Sequence, residues 1–222
     1  MSPVIRRLKK AVKRGPLWPV LRPRRLHAYN LGAGRTGTTT MTAIFSGSYR
    51  SAHEPMASGT IDLLERHWSG EMTSDEVGEA LRARDRIHRF EFESSPFLGP
   101  FADLLPRVFP DAKYLLTART PRAWLRSNVD KCVNSPRSEL DPHWVTLRDL
   151  CFGPPPDEYP EREVVLAEHD LHSLAGYLEY WSRHYRHVLD SVPRDRLLVL
   201  WTSELSDATG RIAAFLGVDE GE

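Results

Sequence analysis

The segment from Tyr29 to Thr40 constrains this chain most, because a short apolar run leads directly into a turn rich in glycine and threonine. We predict a strand, a tight turn and then the N-terminus of a helix. In that arrangement, backbone N–H groups and the positive end of the helix converge on an anion. The segment therefore predicts a site for a phosphate-like group.

The composition of the turn argues against nucleoside triphosphate chemistry. Gly32 and Gly37 have the spacing of a Walker A loop, but Thr38 stands where that loop requires lysine. Kinases and ATPases place this lysine on the β- and γ-phosphates of the nucleotide. The only cation of the turn is Arg35. We therefore expect an anion site that does not use ATP.

A second motif follows an apolar run at 114–118, which predicts a buried strand. Thr120 is a suitable N-cap and Pro121 suits the first position of the next helix. Arg119 then stands at the C-terminal end of the strand, where ligands of open α/β sheets bind. Ser127 lies two turns into the helix, so an arginine and a serine are available to one ligand.

Together, the two motifs resemble those of the sulfotransferases that use 3′-phosphoadenosine 5′-phosphosulfate (PAPS). The stretch 35–39 (Arg-Thr-Gly-Thr-Thr) is similar to the family's 5′-phosphosulfate loop. Arg119 and Ser127 are similar to the element that binds the 3′-phosphate. The resemblance covers roughly residues 27–218.

The resemblance implies PAPS as the sulfuryl donor, with no metal. It assigns cofactor binding to Arg35, Thr36, Gly37, Thr38, Thr39, Thr40, Arg119 and Ser127. Arg35 would also act in catalysis by neutralising the leaving phosphate. The apolar runs near 118 and 201 end in Arg119 and Thr202 rather than in the carboxylate of a Mg²⁺-nucleotide site. This favours the sulfotransferase interpretation over a nucleotide-hydrolysing enzyme.

Sulfuryl transfer to a hydroxyl needs a general base near the loop. The second predicted strand ends beside the loop, with His53 and Glu54 at that end. The resemblance implies a histidine or a carboxylate at this place, and we take Glu54 as the first candidate and His53 as the second. Glu91 and Glu93 are weaker candidates for orienting the acceptor or the base.

Two features depart from the family pattern. Thr40 occupies the place where many members have a tryptophan that stacks on adenine, so Trp124 or Trp201 would have to serve instead. Members usually continue into a C-terminal segment that closes over the 3′-phosphate, whereas this sequence ends four residues after Val218. Either the chain is shortened, or other cations such as Arg122 and Arg126 complete the site.

Strand patterns alternate with helix patterns, which predicts an α/β fold. We expect three layers, P-loop-like, with a central parallel sheet of about five strands and helices on both faces. The predicted strands are 27–31, 49–53, 87–92, 113–118 and 196–201. The predicted helices are 38–45, 59–67, 74–84, 121–131 and 171–191. In the last helix, the predicted core-facing residues are Leu174, Leu178, Trp181, Tyr185 and Leu189, with His184 and His187 at the surface or an interface.

The proline-rich stretch 134–163 has two interpretations. It is either an excursion over the mouth of the active site, where sulfotransferases place acceptor-binding elements, or a plain solvent loop.

Composition sets the domain organisation. With 222 residues and 41% hydrophobic content, the chain can bury one core, and we expect a single sulfotransferase domain at 26–222. The segment 1–25 carries nine Lys or Arg and no acidic residue, although the net charge of the chain is zero. This basic segment is either a solvated tail or an attachment to an anionic surface.

No apolar run has the length of a membrane span, and the N-terminus lacks the apolar region of a secretory signal. We therefore expect a cytoplasmic protein, soluble or peripheral to a membrane. Cys132 and Cys151 are expected to be reduced thiols.

The sequence predicts a sulfotransferase that moves the sulfuryl group from PAPS to a hydroxyl of a carbohydrate, a lipid or a small metabolite and releases 3′,5′-ADP. We expect no nucleic-acid partner, and the oligomeric state is left open. The alternatives are a non-catalytic homologue that binds PAPS or another nucleotide, and a metabolite kinase, which Thr38 disfavours.

Overall fold

The structure, a computed structural model, describes residues 23–219 and contains a five-stranded parallel sheet. The strands are β1 (Ala28–Asn30), β2 (Ser51–His53), β3 (Phe92–Ser94), β4 (Lys113–Ala118) and β5 (Leu197–Trp201). Their order across the sheet is β2-β3-β1-β4-β5, and each neighbouring pair is parallel. The strands β2 and β3 lie on one side of β1 within the sheet, and β4 and β5 lie on its other side. The carboxyl ends of β1 and β4 therefore form the crossover point where such sheets bind ligands.

Helices of the described residues cover both faces of the sheet. They are α1 (Thr38–Phe45), α2 (Ala57–Trp68), α3 (Ser74–His88), α4 (Leu105–Val108), α5 (Pro121–Val133), α6 (Pro142–Phe152), α7 (Val164–Glu168), α8 (Leu174–Ser191) and α9 (Thr209–Leu216). Short 3-10 helices lie at Pro96–Phe101, Arg137–Glu139, Glu161–Glu163, Arg194–Arg196 and Thr202–Asp207. The predicted α/β class is confirmed.

The core consists of two large apolar clusters, because successive side chains of a strand point to opposite faces. In β4, Tyr114 and Leu116 belong to the cluster beneath α2, α3 and α8, whereas Leu115 belongs to the cluster beneath α1 and α9. In β1, Tyr29 and Ala28 divide in the same way. The sheet is therefore buried on both faces, which gives the three expected layers.

The third strand lies further along the chain than 87–92, so that prediction was wrong. A capping box starts α3, in which Thr73 Oγ1 accepts from the N–H of Glu76 and the Glu76 carboxylate accepts from the N–H of Thr73. The helix then continues to His88 and ends where Arg89 has a φ of +46°. Ile87, which suggested a strand, is 69% exposed.

The buried face of α8 also differs from the expected one. Leu178 and Leu189 are exposed. The side chains of Tyr177, His184 and Val188 are buried instead, and Tyr185 is buried as predicted. The sequence pattern predicted that Leu178 and Leu189 face the core. His184 is buried instead, because its ring donates a hydrogen bond to the Leu31 carbonyl.

Residues 134–163 are not a plain solvent loop, because they contain α6 and two of the 3-10 helices. Asp141 caps α6 by accepting from the N–H of His143, and Pro142 occupies the first helical position. Leu147 of α6 is buried in the core cluster beneath α2. The stretch is therefore an ordered part of the domain.

Most of the basic segment 1–25 lies outside the described residues, so its attachment to an anionic surface stays a prediction, as does the domain boundary at 26. Among residues 23–219, none of the helices combines the length and the apolar character needed to cross a membrane. Both cysteines are free thiols.

Candidate active site

The turn between β1 and α1, residues 31–37, is called the anion loop here, and buried polar side chains hold its shape. The Asn30 side-chain oxygen accepts from the N–H groups of Gly32 and Thr117 at 3.3 and 3.2 Å. The hydroxyl groups of Thr36 and Thr117 are 2.9 Å apart. Asn30, Thr36 and Thr117 are each fully buried. Because these groups satisfy one another, the two central strands fix the loop without a ligand.

Two glycines allow the close approaches within the anion loop. A Cβ on Gly32 would lie 1.9 Å from the Thr117 hydroxyl oxygen. Gly37 has a φ of +91°, and a Cβ there would lie 2.7 Å from a methyl carbon of Leu205. Gly37 precedes α1, so the first N–H groups of the helix have no side-chain cap at this end.

Helix α5 forms one wall of a second concave region, which we call the arginine basin. It has a volume of about 470 Å³ and is lined by Arg119, Thr120, Arg122, Ala123, Arg126, Ser127 and Asp130. The Arg35 Nε donates to the carbonyl and hydroxyl oxygens of Ser127, both at 3.3 Å. The anion loop and the arginine basin are therefore adjacent, and the structure brings together Arg35, Arg119 and Ser127.

The opposite face of α5 lines another cavity of about 470 Å³, called the central cavity here. Its floor is formed by Gly34, Arg35, Thr38, Thr39, His53 and Glu54. Asn128 and Lys131 come from α5, at positions that alternate with those facing the arginine basin. One helix thus separates the arginine basin from the more enclosed central cavity, and the anion loop contacts both.

His53 and Glu54 meet the anion loop at the end of β2. The Nε2 of His53 lies 3.1 Å from the Thr38 hydroxyl oxygen and 3.2 Å from that of Thr39. A Glu54 carboxylate oxygen is 3.7 Å from the same nitrogen. The N–H of Glu54 donates to the Ser94 carbonyl of β3 at 3.0 Å, which holds the residue at a φ of +47°. The backbone therefore holds this carboxylate at the floor of the central cavity.

Burial raises the pKa of Glu54 above its ordinary value of 4.5, while the positive charges of His53 and Lys131 oppose this shift. A carboxylate with a raised pKa is a stronger base. Glu54 therefore has both the position and the basicity to accept a proton.

Comparison with known families then identifies the domain. The sequence matches the family model of the sulfotransferase domain over residues 29–222. The chain belongs to the sulfotransferase family. Its matched range includes the anion loop, the arginine basin and the residues that line the central cavity.

Three solved sulfotransferase structures are similar to this chain, and the first of them supports its fold. A sulfotransferase from Alicyclobacillus acidocaldarius has a TM-score of 0.52 and 20% identity, covering 88% of this chain and 82% of that chain. A sulfotransferase domain from the curacin biosynthetic pathway has a TM-score of 0.44 and 13% identity, covering 89% of this chain and 76% of that chain. A sulfotransferase domain from the Synechococcus PCC 7002 olefin synthase has a TM-score of 0.43 and 17% identity, covering 89% of this chain and 75% of that chain. A search of curated proteins found no match.

Glu91 and Glu93 do not line the central cavity of the sulfotransferase, so their suggested role beside the acceptor was wrong. The Glu91 carboxylate is buried and accepts from the N–H groups of Arg25 and Arg50. Glu93 lies within β3 and forms a bidentate pair with Arg84. Both carboxylates are therefore occupied in holding elements together.

The candidates for contact with adenine are placed differently from one another. Trp124 is 1% exposed and donates its indole N–H to the Gly34 carbonyl at 2.9 Å, so it supports the anion loop from below. Thr40 is exposed on the first turn of α1. Trp201 is 43% exposed at the end of β5. Trp201 is the more exposed of the two tryptophans, whereas Trp124 contributes to the lining of the central cavity.

The sequence interpretation missed several residues that shape the site. Asn30 was recognisable as a polar residue inside an apolar strand, but its partners on β3 and β4 were not. His184 donates to the Leu31 carbonyl at 2.9 Å, and burial lowers the pKa of its ring to about 4. The His184 ring is therefore neutral at pH 7 and supports the anion loop.

Within residues 23–219, no three His, Cys, Asp or Glu side chains are grouped as metal ligands.

Proposed function

We propose that this sulfotransferase moves the sulfuryl group of PAPS to a hydroxyl of a carbohydrate, a lipid or a small metabolite and releases 3′,5′-ADP. The observation that carries the proposal is the contact of Arg35 with Ser127, which joins the anion loop to the arginine basin. A nucleotide with a 5′-phosphosulfate and a 3′-phosphate carries two anionic groups, and these two adjacent sites offer cations to both.

The fit to the 3′-phosphate rests on the basin's charges. Arg119, Arg122 and Arg126 contribute three positive charges, against one carboxylate from Asp130. Guanidinium groups bind phosphate oxygens through charge-assisted hydrogen bonds. Arg122 and Arg126, considered as substitutes for a C-terminal closing segment, line the same basin as Arg119 and Ser127, which supports that part of the interpretation.

In the proposed reaction, the acceptor oxygen attacks sulfur in line with the bond to the 5′-phosphate. The sulfur–oxygen bond to that phosphate breaks, and the acceptor proton passes to Glu54. Arg35 and the N–H groups at the start of α1 stabilise the charge on the leaving phosphate. Thr38 and Thr39 offer their hydroxyls to the sulfuryl oxygens, and His53 orients these hydroxyls through its Nε2.

The remaining assignments follow the same geometry. We assign cofactor binding to Arg35, Thr36, Gly37, Thr38, Thr39, Thr40, Arg119 and Ser127. Thr36 acts through the shape of the loop, because its hydroxyl donates to the Ala33 carbonyl at 2.6 Å. Thr40 remains the least supported member, since it lines neither the arginine basin nor the central cavity.

Isothermal titration with 3′,5′-ADP, 5′-AMP and ATP in the presence of EDTA tests the donor site. One charge-assisted contact contributes about 1.5–3 kcal/mol, so 3′,5′-ADP should bind about 10- to 100-fold more tightly than 5′-AMP. ATP binding at equal affinity, or binding of 3′,5′-ADP that disappears with EDTA, contradicts the proposal and favours a kinase.

A further inference from the structure

Part of the lining of the central cavity is apolar. This apolar part comes from three separate segments of the chain: α2, the 3-10 helix at 96–101 and the stretch 140–152, which contains α6. The contributing side chains are Leu64, Phe97, Leu140, Trp144, Leu147 and Phe152. The rings of Phe97 and Trp144 pack edge to face with their centroids 5.2 Å apart. This wall is well packed and offers mainly carbon atoms to a ligand.

Several polar side chains that line the central cavity donate hydrogen bonds to other groups of the protein. Arg148 donates through both terminal nitrogens to the Ser135 carbonyl at 3.3 and 3.2 Å. Lys131 Nζ donates to the Ser135 hydroxyl at 2.9 Å. The Asn128 amide lies 4.0 Å from the sulfur of Cys132. A ligand with many hydroxyl groups would lose its hydration here and find few free partners, which is costly.

Another part of the lining is polar and contains the proposed base. Glu54, His53 and the hydroxyls of Thr38 and Thr39 form it. A ligand with one hydroxyl on an apolar body matches both parts of the lining, with the hydroxyl directed to Glu54 and the body against Trp144 and Leu147. The cavity volume of about 470 Å³ is within the usual range of small-molecule sites.

We propose that the acceptor is an alcohol or phenol with an apolar body rather than a carbohydrate. This inference rests on the proposed sulfuryl transfer and narrows its acceptor class. The shared chemistry is a single hydroxyl on an apolar group, which a flat aromatic or a linear alkyl body can supply.

Competing acceptors test the proposal with the full chain and labelled PAPS. The panel is 2-naphthol as the flat body, 1-octanol as the linear body, and glucose and N-acetylglucosamine as carbohydrates. We expect kcat/KM for 2-naphthol or 1-octanol to exceed that for either sugar by at least about 100-fold. The better of the two apolar acceptors identifies the shape of the body. Preferential sulfation of a sugar overturns the proposal.

A binding measurement separates this proposal from the proposed function. Titration of 2-naphthol and 1-octanol into the protein saturated with 3′,5′-ADP should show binding, with glucose showing none. If 3′,5′-ADP does not bind, the donor assignment fails, while the apolar ligands are still expected to bind. If 3′,5′-ADP binds and neither apolar ligand binds, the acceptor class is overturned and the donor site stands.

A matched pair of leucine variants locates the binding of the apolar body. Leu140 lines the central cavity, whereas Leu150 on α6 does not. Leu140→Asn should weaken binding of the better apolar ligand by about 10-fold, because loss of apolar contact reduces affinity to this extent. Leu150→Asn should leave this affinity unchanged, and both variants should bind 3′,5′-ADP like the wild type. Equal binding of the apolar ligand to both variants overturns the proposed placement.

Discussion

At the scale of single residues, the environment of Glu54 distinguishes it from the other carboxylates near the sheet edge. Glu91 and Glu93 are held by backbone N–H groups or by an arginine. Glu54 instead faces a cavity, and its carboxylate lies 3.7 Å from the Nε2 of His53. A partly desolvated carboxylate beside an anion site is suited to accept a proton during transfer.

The first prediction concerns the base. Glu54→Gln keeps the shape of the side chain and removes its basicity, so kcat should fall by about 10²- to 10⁴-fold. The affinity for 3′,5′-ADP, measured by titration, should stay nearly constant. His53→Ala should have a smaller effect on kcat, because in the proposed mechanism His53 only orients the hydroxyls of Thr38 and Thr39. If His53→Ala abolishes turnover and Glu54→Gln does not, the histidine is the base.

The second prediction concerns the pH dependence of the reaction. In the proposed mechanism Glu54 acts only when it is deprotonated, so kcat/KM should fall as the pH drops through its raised pKa. The positive charge of Lys131 lowers this pKa, and Lys131→Met should therefore move the acidic limb of the profile to higher pH. Arg107→Met, which removes a charge outside the central cavity, is the control. An unshifted limb in Lys131→Met contradicts the assignment.

At the scale of elements, β1 and β4 form the site together with the segments that follow them. Helix α5 faces the arginine basin with Arg122, Arg126 and Ser127 and the central cavity with Trp124 and Asn128. This division follows from the period of 3.6 residues, which places the two sets on different sides of one helix. The arginine basin and the central cavity therefore share α5 as a common wall.

The third prediction concerns the packing of the anion loop. Gly32→Ala would place a Cβ 1.9 Å from the Thr117 hydroxyl oxygen and 2.8 Å from its carbonyl oxygen. Overpacking of this kind lowers the free energy of unfolding by about 1–3 kcal/mol, and each kcal/mol lowers Tm by about 2–4 °C in a chain of this size. Gly34→Ala is the control, because no atom lies within 4 Å of its Cβ. Equal Tm values for both variants would show that the close approach at Gly32 does not limit stability.

The fourth prediction concerns the arginine basin. Replacing both Arg119 and Ser127 by alanine should lower the affinity for 3′,5′-ADP to that for 5′-AMP, because the 3′-phosphate loses its partners. The affinity for 5′-AMP serves as the internal control and should change little in the same titrations. Equal losses for the two nucleotides would mean that the pair maintains the structure of the loop.

Elements marked by local residues were predictable, and those set by distant contacts were not. The bounds of β4 match the prediction, and the Thr120-Pro121 pair places the start of α5 at the residue expected. The Asp141-Pro142 pair offered the same kind of information for α6 and was overlooked. The buried position of His184 depends on the Leu31 carbonyl, 153 residues earlier. No local pattern encodes such a contact, so the sequence alone favours Leu178 and Leu189 over His184 as core residues.

At the scale of the whole molecule, the crossover between the two halves of the sheet explains why the two motifs lie together. The carboxyl ends of β1 and β4 are neighbours, although Arg35 and Ser127 are 92 residues apart in sequence. The family model covers both motifs. The fold therefore places the anion loop next to the arginines of the basin, as the proposed donor with two anionic groups requires.

Transfer of label from [35S]PAPS in the presence of EDTA tests the central claim most directly. The acceptors are 2-naphthol, 1-octanol and N-acetylglucosamine, and each product is separated from PAPS and 3′,5′-ADP. We predict a labelled sulfate ester and one equivalent of 3′,5′-ADP for each ester formed, with formation reduced about 10²- to 10⁴-fold in Glu54→Gln. Bound but unreacted PAPS with every acceptor would instead identify a non-catalytic nucleotide-binding protein and contradict the proposed sulfuryl transfer.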